Sequence, residues 1–177
     1  KKNKRIGIAS GRAGNVIGGG DWSANRLIPD AINSILKDKT IFIRNPNFNR
    51  PWQHVLEPLY GYLILGMKMD KKPKEFSGPW NFGTERNTIT NVLEIVREII
   101  SFWGSGKVKF KKNVKYYEQT NLQLNIDKAK KYLNWKPKYS IKKSIQVTTD
   151  WYKKVLTNTV DAEKITTQQI KDYMDES

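Results

Sequence analysis

Apolar and polar positions along this chain alternate between the short period of strands and the longer period of helices. Ile6–Ser10 is a short apolar run after a basic lead-in, and it predicts a buried strand. Leu27, Ile28, Ala31, Ile32, Ile35 and Leu36 recur at helical spacing, with Pro29 in the first turn, where its missing N–H costs little. Ile41–Arg44 reads as a short strand, with Pro51–His54 a further candidate. Leu56–Met69 is apolar nearly all round and predicts a buried helix, with Pro58 in its first turn. Trp80–Phe82 predicts a strand ending at Gly83. Val92, Val96, Ile99 and Trp103 then share one helical face, with Thr88 or Thr90 as the cap and Gly104 as the stop. Val108–Phe110 reads as a strand, and Asn125 or Asp127 caps a short helix through Leu133 that stops before Pro137. Ser140 caps a last helix over Ile141–Leu156, and the polar, mildly acidic remainder predicts a frayed end.

Strands alternate with helices, so the fold class is α/β. A doubly wound sheet needs five or more parallel strands, whereas about four can be assigned here and none opens a βαβ unit. The chain reads as part of a larger fold.

Composition narrows the chemistry. There is no cysteine, which excludes disulfides, thiolate zinc sites and a cysteine nucleophile. His54 is the single histidine, so no multi-histidine metal centre is expected. No charged-then-apolar leader opens the chain, and the apolar stretch Leu56–Met69 is too short to span a bilayer; the expectation is a soluble, cytoplasmic protein.

The formal charge of +15 invites a nucleic-acid reading, but its distribution argues otherwise. Residues 104–143 hold twelve lysines against Glu118 and Asp127, a net of +10, while residues 61–103 come to only +1. The excess reads as one solvated lysine face rather than a uniformly basic chain, and no stacking-aromatic RNA module accompanies it. Arginine is the better lead. Four of the seven arginines (Arg12, Arg26, Arg44, Arg50) fall within residues 12–50, and their planar forks suit a compact anion such as a diphosphate.

Three segments surround those arginines. Arg12-Ala-Gly-Asn-Val-Ile-Gly-Gly-Gly-Asp-Trp22 lacks the dinucleotide spacing G-x-G-x-x-G, yet it follows a strand, where open α/β sheets bind ligands. Its glycines, with Gly11 before them, predict a loop. Arg26-Leu-Ile-Pro-Asp30 sets an arginine at a helix start, where free amides attract anions. Arg44 and Arg50 stand six residues apart around a turn that reads as strand–turn–strand, both directed at ligand. Trp52 reads as core and His54 as a satisfied packing residue. No Ser–His–Asp order and no paired carboxylates appear, and neither Tyr116 nor Tyr117 is followed by a lysine four positions on. The chain is therefore read as lacking a Tyr-x-x-x-Lys acid–base pair, with no catalytic residue and no metal ligand of its own.

Taken in order, these blocks, with Arg50-Pro-Trp-Gln-His-Val-Leu-Glu-Pro58, resemble the CDP-glucose 4,6-dehydratase family of the extended short-chain dehydrogenase/reductase superfamily. Trp80-Asn-Phe-Gly83 is similar to the superfamily's late strand motif, and Glu118, Leu122 and Leu124 to the segment before its closing helices. The resemblance runs from about Ile6 to Tyr152. Gly11 stands where the family has alanine, and Asn125 where it usually has aspartate.

The resemblance implies a Rossmann-like fold of which this chain is the C-terminal half: residues 1–157 a substrate-binding portion, 158–177 a polar tail, and the NAD-binding N-terminal half absent. It implies that Asn15, Arg26, Leu27, Arg44, Arg50 and Asn81 line a nucleotide-sugar pocket, with Arg26 and Arg50 on the diphosphate. Val16 would lie near the nicotinamide of NAD, bound mainly by the other half. The implied substrate is CDP-glucose, and the implied full-length protein is a homo-oligomer with no membrane partner. Alternatives are another nucleotide-sugar dehydratase or epimerase of the superfamily and, in a different class, a basic nucleic-acid-binding module.

Overall fold

The computed structural model describes residues 6–85, 90–110 and 123–176. Thr88, Tyr116, Tyr117, Glu118, Leu122 and part of the lysine-rich region lie outside the described residues.

Strands form where short apolar runs meet a parallel partner far along the chain. β1 (Ala9–Ala13) pairs with β6 (Gly78–Phe82), β2 (Asn15–Ile17) with β5 (Trp52–His54), and β3 (Ile41–Ile43) with β8 (Val108–Phe110), all parallel. The antiparallel pair joins β4 (Asn49–Arg50) to β7 (Thr90–Asn91). The expected α/β class holds, but two local expectations do not. The glycine-studded segment is not all loop, because Gly11 belongs to β1 and Asn15–Ile17 to β2. The strand–turn–strand around Arg44–His54 is no hairpin either, since β4 and β5 take different, distant partners. The first strand also starts later than its apolar run, leaving Ile6 and Ile8 exposed.

Among the described residues six helices cover these pairs: α1 (Leu27–Leu36), α2 (Leu56–Lys71), α3 (Val92–Trp103), α4 (Asp127–Leu133), α5 (Ile141–Leu156) and α6 (Ala162–Asp175). Asn91, rather than a threonine, caps α3: its side chain accepts from Glu94 N at 2.9 Å, and Glu94 returns the bond to Asn91 N at 3.3 Å. α3 ends at Gly104 as the pattern predicts. Asn125 Oδ1 accepts from Asp127 N at 2.8 Å as α4 begins, and Ser140 caps α5.

Two apolar clusters result. Ile32, Ile41, Ile95, Ile99, Ile145 and Tyr152 join α1, α3 and α5 beneath β3. Leu65, Trp80, Phe82, Leu133 and Trp135 join α2, β6 and α4. At the second, a Cβ on Gly61 would stand 2.2 Å from Phe82 Cδ1, so only glycine lets α2 come this close to the sheet. The helix is not buried all round, however. Leu59, Leu63 and Met67 repeat every fourth residue on its outer face and are exposed.

Residues beyond α5 do not fray. Asp161 caps α6 by accepting from Glu163 N and Lys164 N, and Ile165 and Tyr173 are buried. The helix is held by a residue from the start of α2. Glu57 is fully buried, and its carboxylate accepts from Lys138 N (3.0 Å), Tyr139 N (2.7 Å) and the Tyr173 hydroxyl (2.7 Å). Its carbonyl accepts from Trp135 Nε1 at 3.2 Å. Lys138 Nζ in turn donates to the Tyr173, Met174 and Glu176 carbonyls at the end of α6. Burial pushes the Glu57 carboxyl above its ordinary range, against the pull of these donors.

Removing this acceptor leaves several buried donors unpaired. Glu57→Ala is expected to cost about 3 kcal/mol or more of stability, measured as a lower urea midpoint. An unchanged midpoint would mean that the contacts around Glu57 contribute nothing.

Candidate functional site

β2 runs parallel to β5 and hands the chain into a turn over Gly18–Asn25, after which α1 begins. Between that strand and that helix start lies a cleft of about 530 Å³. Asn15, Val16 and Gly18 form one side, Arg26, Leu27 and Pro29 the other, and Trp52 also lines it. The packing that opens it lies on the far side of the glycine run. A Cβ on Gly19 would come within 2.1 Å of the Trp151 ring of α5, and one on Gly18 within 2.7 Å of Val55. These glycines are demanded by helix–loop contact, not by a ligand. The loop is further held by Trp22, edge-on to Tyr152 at 5.3 Å, and by the Tyr152 hydroxyl donating to the Asp21 carbonyl.

The helix start is electrostatically unfinished. Arg26 is the N-cap residue of α1, but its side chain makes no capping bond, so the cap residue leaves the first amides unsatisfied. Those amides and the exposed Arg26 guanidinium both present positive potential to the cleft. Asp21, at the rim, sits below its usual range, chiefly because Ser23 N donates to it, with Arg26 adding a smaller pull.

The structure brings together four of the residues singled out in the sequence: Asn15, Val16, Arg26 and Leu27. Arg44, Arg50 and Asn81 are not among the lining residues. Arg44 is exposed just after β3. Arg50 donates to the Asn49 carbonyl at 3.1 Å and lies 5.5 Å from the Phe48 ring centre. Asn81 donates to the Asn125 carbonyl at 2.9 Å. A second hollow of about 470 Å³ lies along α5, but two of its three lysines are engaged: Lys154 with Asp150 at 2.9 Å, Lys153 with the Trp103 carbonyl at 2.7 Å. Elsewhere Lys130 pairs with Glu85 at 2.6 Å, so part of the lysine-rich region has internal partners.

Two Tyr-x-x-x-Lys spacings do occur, Tyr132–Lys136 and Tyr139–Lys143, which corrects the reading that the chain has none. Neither pair lines the cleft. Tyr132 is half exposed at the end of α4, and burial raises Tyr139 to about 12, the opposite of what a proton-transferring phenol requires. Among the described residues no group of histidine, aspartate and glutamate could hold a metal ion, and no helix is long and apolar enough to cross a membrane.

His54 is buried as expected but only half satisfied. Its Nδ1 accepts weakly from Leu56 N at 3.4 Å, and its Nε2 has no partner among the described residues. Burial lowers its pKa from 6.5 to about 4. The unfolded chain therefore takes up a proton near pH 6.5 that the folded chain refuses until about pH 4. Stability from this group is complete above pH 6.5 and declines by about 1.4 kcal/mol per pH unit as acid is added across that window. The Glu57 contribution has the opposite sign, so a difference isolates His54: relative to His54→Phe, the parent's urea midpoint should fall more steeply between pH 6.5 and 4. Parallel profiles would rule out a neutral buried imidazole.

Comparison with known proteins gives the cleft a context. No protein-family profile matches the chain. The chain is 36% identical over 170 residues to the CDP-glucose 4,6-dehydratase of Salmonella typhimurium, covering 96% of this chain and 47% of that protein. It thus spans about half the length of the curated relative it matches, consistent with a C-terminal half. Its fold is similar to that of dTDP-glucose 4,6-dehydratase from Bacillus anthracis in complex with NAD, with a TM-score of 0.65 and 23% identity over 83% of this chain and 45% of that one. UDP-glucuronic acid 4-epimerase from Bacillus cereus, in complex with UDP-glucuronic acid and NAD, matches with a TM-score of 0.69 and 21% identity over 87% and 48%. The resemblance read from the motifs holds, and the fold is that of about half of an extended short-chain dehydrogenase/reductase.

Proposed function

We propose that this chain is the substrate-binding part of a nucleotide-sugar 4,6-dehydratase acting on CDP-glucose and forming CDP-4-keto-6-deoxyglucose. The observation that carries the reading is the cleft at the start of α1, lined by Asn15, Arg26 and Leu27 from the same sequence blocks that carry the family likeness. Arg26 and the uncapped amides of α1 neutralise a diphosphate from one side. Asn15 fixes the ligand's register from the strand, while Leu27, Ile28 and Pro29 keep water from the sugar side. Arg44, Arg50 and Asn81 enter on the resemblance alone.

For NAD, the residues present fit one contact. Val16 is an exposed apolar side chain at the cleft, suited to the face of a nicotinamide ring. The glycine run offers no cradle for the cofactor's pyrophosphate, because Gly18 and Gly19 are filled by Val55 and Trp151. When bound, NAD supplies the hydride acceptor and donor of the family reaction. This chain orients the sugar toward it and excludes water. With no acid–base pair lining the cleft, the isolated chain binds substrate without turning it over.

The test is calorimetric titration of the 177-residue chain with CDP-glucose, dTDP-glucose and GDP-mannose. CDP-glucose should bind tightest, and Arg26→Ala should weaken it at least about tenfold, since a charge-assisted phosphate contact is lost. Tighter binding of another nucleotide sugar would reassign the substrate within the superfamily. Turnover of CDP-glucose by the chain with added NAD would refute its inactivity, and salt-sensitive binding of DNA in place of nucleotides would refute the reading altogether.

A further inference from the structure

The loop between β2 and α1 brings Asp21 to the cleft and runs directly into Arg26, yet little in its own sequence fixes its shape. Gly20 (φ 82°) and Asn25 (φ 62°) both take the left-handed conformation, and one internal bond, Ser23 N to Asp21 Oδ1 at 2.9 Å, ties the middle. Consecutive glycines add backbone freedom that must be given up on folding, so such a turn does not hold one conformation unaided.

The order comes from α5. Trp151 lays its ring against Gly19 and Gly20, and its Nε1 donates to the Thr166 hydroxyl of α6 at 2.9 Å. Tyr152, fully buried, donates its hydroxyl to the Asp21 carbonyl and meets the half-exposed Trp22 ring edge-on. Burial pushes the Tyr152 phenol up to about 12, so it remains a protonated donor throughout the neutral range. Among the described residues it is the one side chain outside the loop that hydrogen-bonds to it. Tyr152 does not itself line the cleft, whereas Asp21, Asn25 and Arg26 do. Whatever it does for a ligand, it does through the loop.

What the loop must control is a conflict of charge. Asp21 and Arg26 share the cleft, and a carboxylate that paired with the guanidinium would compete with any anionic ligand. In the structure the Asp21 carboxylate is occupied by Ser23 N and exerts only a smaller pull on Arg26. That orientation depends on where the main chain sits at Asp21, the point Tyr152 grips.

We propose that Tyr152 is a positioning residue of the cleft: by holding the Asp21 carbonyl, its hydroxyl keeps the Asp21 carboxylate on Ser23 and leaves Arg26 free for a ligand phosphate. The proposal rests on the substrate reading above and adds to it the residue that keeps the cation available.

The test is calorimetric titration of the 177-residue chain and its variants with CDP-glucose, each variant first shown to be folded by circular dichroism. Tyr152→Phe removes one hydroxyl and should weaken binding about fivefold, the equivalent of one neutral hydrogen bond. Two double-mutant cycles separate positioning from general support of the fold. The Tyr152→Phe penalty should vanish in the Asp21→Asn background, where no carboxylate remains to compete, and in the Arg26→Ala background, where no cation remains to be blocked. A role in stability alone lowers the urea midpoint and leaves the affinity of the folded chain unchanged, which overturns the proposal. A penalty that persists at full size in either background overturns it too. If Tyr152→Phe does not fold, Trp22→Ala loosens the same loop at a half-exposed position and is held to the same two cycles. Failure of the unsubstituted chain to bind CDP-glucose refutes the substrate reading and this proposal together, whereas binding that ignores Tyr152→Phe refutes this proposal only.

Discussion

A single buried carboxylate ties the structure together. Glu57 sits fully enclosed at the start of α2 and receives hydrogen bonds from two consecutive backbone amides, Lys138 and Tyr139, and from the Tyr173 hydroxyl. Taking a carboxyl out of water is unfavourable, and only this set of donors makes the position tenable. The consequence is geometric. Three segments distant in the chain, the β5–α2 junction, the approach to α5, and α6, must assemble together or leave the carboxylate stranded. β5 ends three residues before Glu57, so the same junction that seats the carboxylate also sets the position of Trp52 in the cleft.

The cleft shows how packing and binding divide one segment between them. The glycine run after β2 has a sequence suggestive of a ligand loop, yet Gly18 and Gly19 are small because Val55 and Trp151 press against them. The open side is built by different atoms: the side chain of Asn15, the guanidinium of Arg26 and the start of α1. Asp21 also lines it, so a carboxylate and a guanidinium share the cleft.

Much of the architecture is legible in the linear pattern. α1 lies where periodicity puts it, α5 where periodicity and the Ser140 cap put it, and Gly104 ends α3. Local chemistry explains these successes: capping and helical periodicity act within a few residues. The failures involve distant partners. Ile6 and Ile8 look like strand core but are exposed, and Leu59, Leu63 and Met67 form an uncovered stripe on a helix whose composition reads as buried all round. The residues after Leu156 look like a polar tail, yet form α6 because Tyr173 finds Glu57 and Lys138 finds the helix end.

By itself the sequence determined the α/β class, most helix positions, the absence of thiol chemistry, and a set of arginine and asparagine blocks whose order is that of a nucleotide-sugar dehydratase family. Tertiary structure alone decided which of those blocks meet. It gathered Asn15, Arg26 and Leu27 around one cleft, left Arg44, Arg50 and Asn81 outside its lining, and left the buried indole N–H of Trp52 without a partner among the described residues. The physical reason is that parallel pairing joins β2 to a strand some forty residues later, so a cleft's contents depend on register across long sequence separations. A hydrogen bond that is missing can be recognised only once every neighbour of the donor is in place.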